Sequence, residues 1–119
     1  MNDCMREPAH DPNWEVTVTD TNQRRTDGAD FILLDCRRAD ERTEAHIEDS
    51  LFVPMDEIPA RLEMLREFEE HSIVVYCRSG QRSLSVAAYL RQQGFDEVFS
   101  MAGGIIGWQK AGFAGLILG

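Results

Sequence analysis

Two stretches of the chain are apolar without interruption, and they set the reading of everything around them. Phe31-Ile32-Leu33-Leu34 runs apolar until Asp35, and Ile73-Val74-Val75-Tyr76 runs directly into Cys77. Runs of this length without polar alternation belong to strands covered on both faces, as in a parallel sheet beneath helices. Three weaker strands accompany them. Trp14 to Val18 alternates and is β-branched, Leu51-Phe52-Val53 stops at Pro54, and Val98-Phe99 is a brief last strand.

Between the strands the period changes to that of a helix. Asp20 or Thr21 is placed to cap a short polar helix that Asp27-Gly28 stops, and Ala39 to Ala45 is charged and helix-compatible. From Asp56 to Phe68, the residues Ile58, Leu62, Leu65 and Phe68 recur at helical spacing and make one apolar stripe. Ser83 to Gln93 carries Leu84, Val86, Ala87, Ala88 and Leu90 up to Gly94, and Ile105 to Ala111 follows a Gly103-Gly104 turn. Strands alternating with helices predict an α/β fold of three layers, a central, mostly parallel five-stranded sheet with helices on both faces. Ligand sites in such folds lie at the carboxyl ends of the strands, where Asp35-Cys36-Arg37 and Cys77-Arg78 stand.

A chain of 119 residues fits one domain, read here as residues 14–119 behind a flexible leader, 1–13, that has charge and prolines but no periodicity. With 43% hydrophobic and 28% charged residues, the composition excludes a disordered chain. Met1 to Val16 lacks the apolar run of a signal peptide, and no segment is long enough for a membrane span, so a cytoplasmic protein is expected. Cys4, Cys36 and Cys77 are odd in number and show neither Cys-x-x-Cys nor Cys/His spacing. This argues against a disulfide framework and a zinc site.

Charge is unevenly spread. Residues 1–70 carry 19 acids and 8 bases, whereas residues 71–119 carry two acids and four bases. The net charge of −9 disfavours nucleic acid and anionic membrane as partners. An anionic ligand therefore requires a local attractor, and arginines flank a cysteine free of nearby acids only around Cys77.

At Cys77 a buried strand stops, and a helix begins a few residues later. Between them Arg78-Ser79-Gly80-Gln81-Arg82 is polar and contains a glycine, so the backbone can curl and aim successive N–H groups inward. Such a nest at a helix start binds anions, and a thiol at its centre is expected to ionise readily, helped by two guanidinium groups. The thiolate is the nucleophile. An inert buried cysteine is the competing reading, and Gly80, the paired arginines and the following helix weigh against it.

The run Val74-Val75-Tyr76-Cys77-Arg78-Ser79-Gly80-Gln81-Arg82-Ser83 resembles the active-site loop of the rhodanese family. Three further markers follow that family's order: Asp35-Cys36-Arg37 after an apolar strand, His46-Ile47, and Gly103-Gly104 with Trp108. The resemblance extends from about Val16 to Phe113. Ala45 stands where the family usually has glycine, and Asp49-Ser50 where Gly-Ala is common.

The resemblance implies a rhodanese-like fold and a sulfurtransferase that needs no metal or organic cofactor. Cys77 takes the outer sulfur of a small anionic donor such as thiosulfate, holds it as a persulfide, and passes it to cyanide, a thiol or a protein acceptor. Arg78, Ser79, Gly80, Gln81, Arg82 and Ser83, with Asp35 and Arg37 at the rim, are the expected substrate-binding residues. Charge-assisted hydrogen bonds from Arg78 and Arg82 suit a dianion. Loops with arginine directly after the cysteine resemble those of thiosulfate users.

Two alternatives belong to other functional classes. The same loop can serve a sulfur-relay or regulatory module whose donor or acceptor is a protein. A cysteine phosphatase or arsenate reductase would need one more residue between nucleophile and arginine than the four, Arg78 to Gln81, found here. Cys36 is read as a small filler after a strand, with a resolving thiol as the alternative. Cys4 is incidental. His46 is expected to be structural rather than a general base, and Leu116-Ile117-Leu118 to pack on the domain or on a partner.

Overall fold

The computed structural model describes residues 12–119. The expected leader, with Cys4 and His10, lies outside the described residues except for Pro12 and Asn13, which open a 3-10 turn over Pro12–Trp14. Five strands form one sheet: β1 (Glu15–Val16), β2 (Phe31–Asp35), β4 (Leu51–Phe52), β5 (Ser72–Tyr76) and β6 (Val98–Met101). Their order is β1-β6-β5-β2-β4, and every neighbouring pair is parallel. The two uninterrupted apolar runs, β2 and β5, lie side by side at or near the centre, where both faces are covered.

Alternation along these strands divides the core in two. Leu34, Val75 and Cys77 face α4 (Gln81–Gln92) and the short α3 (Leu62–Leu65), meeting Val86, Leu90, Ile58 and Leu65. Leu33, Val74 and Tyr76 face the opposite layer, α1 (Val18–Thr26) and α5 (Gly104–Ala111), meeting Val18, Ile105 and Trp108. Leu34, Val75 and Leu90 are completely buried, and each such side chain contributes about 1.5–3 kcal/mol. The three-layer α/β expectation therefore holds, sheet and both helical covers included.

Several boundaries differ from expectation for identifiable reasons. The first helix is capped by Thr17, whose Oγ1 accepts the Asp20 amide at 2.9 Å, so Val18 joins the helix and β1 shrinks to Glu15–Val16. The stripe from Asp56 to Phe68 is not one helix. It breaks into a 3-10 turn (Met55–Glu57), α3 and a second 3-10 turn (Arg66–Phe68), and Pro59, with no N–H to donate to a continuous ladder, falls at the first of these breaks. Ile58 and Leu65 still reach the core, so the apolar spacing survives the interruption.

The remaining differences bear on the site. Helix α4 begins at Gln81, two residues before Ser83, which moves its unpaired first-turn amides next to Cys77. The apolar tail forms β7 (Leu116–Leu118), antiparallel to β3 (Ala45–Ile47), in a separate two-stranded sheet. Between β2 and β3, α2 (Ala39–Glu44) supplies the acid that reaches the loop after Cys77. Among the described residues, no helix is long and apolar enough to cross a membrane.

Candidate active site

Cys77 is the first residue beyond β5, and Gly80 takes φ +108° to turn the chain into α4. A side chain at Gly80 would be strained in that region, and its Cβ would press to 3.2 Å from the Gly103 nitrogen. The turn aims donors at the sulfur. The amides of Gly80 and Ser83 lie 3.1 and 3.3 Å from Cys77 Sγ, and the Ser83 hydroxyl lies 3.4 Å away.

Cys77 is only 1% exposed, and burial by itself would raise its pKa. Hydrogen bonds from the Ser83 side chain and from the amides of Ser83, Gly80 and Ser79 outweigh burial and bring the thiol below its ordinary value. A sulfur sealed among apolar groups with its amides turned away would have defeated the sequence reading. Instead the neighbouring N–H groups converge on it.

Ser100 is the functional residue that the sequence did not signal. It sits on β6, fully buried, with its Oγ 2.7 Å from Ser83 Oγ and 3.4 Å from the Gly80 carbonyl. When Cys77 is ionised, Ser83 donates to sulfur and Ser100 can donate to Ser83; when it is protonated, the chain of hydroxyls reverses and ends on the Gly80 carbonyl. Ser100→Ala is expected to cost about 1 kcal/mol in stability and to move the pH profile of Cys77 alkylation upward, by less than Ser83→Ala does. An unchanged alkylation profile would remove Ser100 from the thiolate's support. A lone serine on a strand shows none of this in the sequence, since its partners are 17 and 20 residues away.

The glycine pair at Gly103-Gly104 secures the other side of the loop. The amides of Ile105 and Ile106, at the start of α5, donate to the carbonyls of Cys77 and Arg78 at 2.9 and 3.1 Å. With those carbonyls tied back, the loop's N–H groups are left facing the sulfur. The approach is so close that a Cβ on Gly104 would sit 2.3 Å from the Arg78 oxygen.

The expected substrate-binding residues separate into groups. Arg78 and Ser79 are exposed on the loop and Gln81 at the start of α4, and the Arg78 side chain makes no hydrogen bond or ion pair with the described residues. Arg82 does not stand free beside it. Its guanidinium makes a bidentate pair with Glu41, both contacts at 2.8 Å, so its charge is already matched.

Glu41 also accepts the Arg38 amide at 3.0 Å, which ties the start of α2 to the loop. The Arg82 hydrogen bond holds the Glu41 carboxyl down at about 2, against an ordinary value of 4.5. A depressed acid contributes stability that is complete above its unfolded value and is lost as pH falls through its folded one. Thermal melting is therefore expected to weaken between pH 4.5 and about 2 in the wild type, and more shallowly in Glu41→Gln. Parallel curves for the two proteins would show that the pair contributes nothing to the fold.

Asp35 belongs to the interior, whereas Arg37, though nearly buried, borders two surface pockets, one with Arg78 and one with Arg82. Asp35 is fully buried and accepts from Arg37 Nε and Nη2 at 2.9 Å, from Arg42 at 3.1 Å and from the Tyr76 hydroxyl at 3.1 Å. Tyr76 in turn accepts the Ile47 amide and meets Ser50, so this network joins the ends of β2 and β5 to β3. With every donor around it satisfied, Asp35 presents no free oxygen to a substrate. Arg37 Nη2 also donates to the Ala45 carbonyl at 2.7 Å.

Cys36 lies in the same core cluster as Cys77 and borders a cavity of about 400 Å³ whose lining includes Arg37, Arg38 and Arg82 together with Pro54, Met55 and Pro59. His46 stands on β3 opposite Ile117; its Nδ1 is buried without a hydrogen-bond partner, and it makes no hydrogen bond to Cys77. The tail thus packs on its own domain. Among the described residues, no group of three or more His, Cys, Asp or Glu side chains is placed to hold a metal ion.

A strand-end thiol in a ring of amides, backed by a helix start and a parallel sheet, defines a class of cysteine-based catalytic domain. The rhodanese-like domain family matches residues 17–111, and the chain belongs to that family. It is 39% identical over 98 residues to a protein of Allochromatium vinosum named sulfurtransferase, covering 82% of this chain and 90% of that one. It is 35% identical over 88 residues to a tRNA uridine(34) hydroxylase of Cronobacter sakazakii, covering 71% of this chain but only 25% of the hydroxylase. Its fold matches that of a rhodanese-like domain from Anabaena with a TM-score of 0.79, at 22% identity, over 87% of this chain and 78% of that one.

Proposed function

We propose that this chain is a sulfurtransferase that carries sulfane sulfur on Cys77 as a persulfide, with thiosulfate or a similar small anion as donor. The observation that carries the reading is the convergence of the Gly80 and Ser83 amides and the Ser83 hydroxyl on one sulfur atom. The likeness to the Allochromatium sulfurtransferase, which runs over nearly the whole of that protein, supports it.

In the first step the Cys77 thiolate attacks the outer sulfur of thiosulfate. The donor's S–S bond breaks, and sulfite leaves with the bonding pair. The negative charge then rests on the new terminal sulfur, which the loop's N–H groups can stabilise as they do the thiolate. In the second step cyanide or a thiol attacks that terminal sulfur, and the Cys77 thiolate is regenerated. No metal or organic cofactor enters this scheme.

Arg78 is the group proposed to draw the anionic donor, because it is exposed and its charge is unmatched by described residues, unlike that of Arg82. Arg78→Ala is expected to raise KM for thiosulfate roughly tenfold, the effect of losing one charge-assisted contact, with kcat changed little. An unaltered KM would take Arg78 out of the donor site.

The reading as a whole is tested by incubating the protein with thiosulfate and weighing it intact. One added sulfur atom, removed by cyanide with formation of thiocyanate, is expected; a protein whose mass never changes would reject the proposal. A second reading, in which the acceptor is a protein, is favoured by the apolar edge of the cavity at Pro54, Met55 and Pro59, where Met55 is 40% exposed. A reducing compartment, the cytoplasm, suits a carrier that works only while Cys77 is a free thiol.

A further inference from the structure

Cys36 and Cys77 are the first residues beyond the ends of two neighbouring strands, β2 and β5. The parallel register pairs Asp35 with Tyr76, and the ladder continues one step further, with the Cys36 amide donating to the Tyr76 carbonyl at 3.1 Å. Cys36 and Cys77 directly follow Asp35 and Tyr76 along the chain. Adjacent strands run about 4.8 Å apart, within the Cα separation of roughly 4.4–6.8 Å that a disulfide spans. Both side chains lie on the same face of the sheet, in one core cluster, and each is 1% exposed. Neither is in a disulfide.

From this register we infer that Cys36 discharges the Cys77 persulfide from within the protein, releasing sulfide and leaving a Cys36–Cys77 disulfide. The inference rests on the persulfide reading proposed above and adds to it a second activity, the reduction of sulfane sulfur at the expense of two protein thiols. In the step, the charged terminal sulfur of the persulfide takes the Cys36 proton, and the Cys36 thiolate so formed attacks Cys77 Sγ as the bond from Sγ to the terminal sulfur breaks. The terminal sulfur, carrying that proton, takes the bonding pair and leaves as HS⁻. Two thiol sulfurs are oxidised to a disulfide and one sulfane sulfur is reduced to sulfide, so atoms and electrons balance without an outside oxidant. An external dithiol then reopens the disulfide, and the cavity of about 400 Å³ that Cys36 lines supplies its approach.

The surroundings of Cys36 fit this role. Burial, followed by the nearby Cys77 and Asp35 charges, raises the Cys36 thiol well above its ordinary value. Cys36 therefore ionises less readily than Cys77 and does not compete with it for the donor. It keeps the proton that the departing sulfide needs.

The test uses the full chain carrying Cys4→Ser, so that only the two described cysteines remain. The protein is loaded with thiosulfate or inorganic polysulfide, freed of small molecules, and held without an acceptor while intact mass and released sulfide are followed. The expected course is gain of one sulfur atom, then its replacement by a species two hydrogens lighter than the reduced chain, with one equivalent of sulfide. Peptide mapping without reductant should join Cys36 to Cys77. A further Cys36→Ser substitution, or Cys36→Ala should the serine variant fail to fold, is expected to keep the added sulfur and release no sulfide. If the chain that retains Cys36 holds its sulfur as long as those variants do, internal discharge is refuted while the carrier reading stands. If none of the proteins gains sulfur from either donor, the carrier reading fails and the inference fails with it.

Discussion

Cys77→Ser is expected to abolish sulfur loading and to lower thiosulfate–cyanide activity by roughly 10⁴-fold or more, the usual scale for deleting a nucleophile. Two physical reasons combine. A serine hydroxyl in the same ring of amides stays protonated at neutral pH, and oxygen does not form the stable link to sulfane sulfur that sulfur does. The fold should survive, because the Gly80 and Ser83 amides and the Ser83 hydroxyl still find an acceptor at the same place. A circular dichroism melt close to wild type, with no added sulfur in the mass spectrum, is the expected pair of results. Loading at the wild-type level in this variant would move the carrier to another thiol and undo the reading of the loop.

Asp35→Ala should have the largest effect on stability. The buried carboxylate neutralises Arg37, takes a bond from Arg42 and accepts the Tyr76 hydroxyl, and removal leaves Arg37 as an uncompensated charge in the interior. Breaking a buried pair from one side costs about 3–5 kcal/mol, and for a domain of this size Tm should fall by roughly 15 °C or more. The same experiment separates two roles. A residue at the substrate rim would change KM for thiosulfate at temperatures where the variant is folded and would leave Tm nearly alone. A large drop in Tm with KM preserved is the outcome the geometry supports.

The sequence by itself was enough for the layers and the loop. Strand runs without polar alternation can be buried only on both faces, so β2 and β5 were legible as central strands from Phe31 to Leu34 and from Ile73 to Tyr76. The nest around Cys77 was legible because it is local. Its donors are three and six residues ahead, and a glycine at position 80 fixes how the chain curls between them. Helix boundaries were less legible where a side chain decided them, as Thr17 did for α1 and Pro59 did after the turn at Met55.

Tertiary structure alone decided which charges remain available and which thiols and hydroxyls meet. Arg78 and Arg82 look alike in the chain, yet only Arg82 finds a carboxylate, on a helix 41 residues earlier. Asp35 reads in the chain as a strand-end acid at the rim beside Arg37, yet Arg42 and Tyr76 join Arg37 around it in the interior. Ser100 joins the thiolate's support only because β6 and β5 are neighbours; Cys36 is expected from the sequence at the same sheet edge as Cys77, and the β2–β5 register makes the two adjacent. Periodicity reports which way a residue faces relative to its own strand or helix. The identity of the group opposite is set by the order in which strands assemble, and no local spacing carries that information.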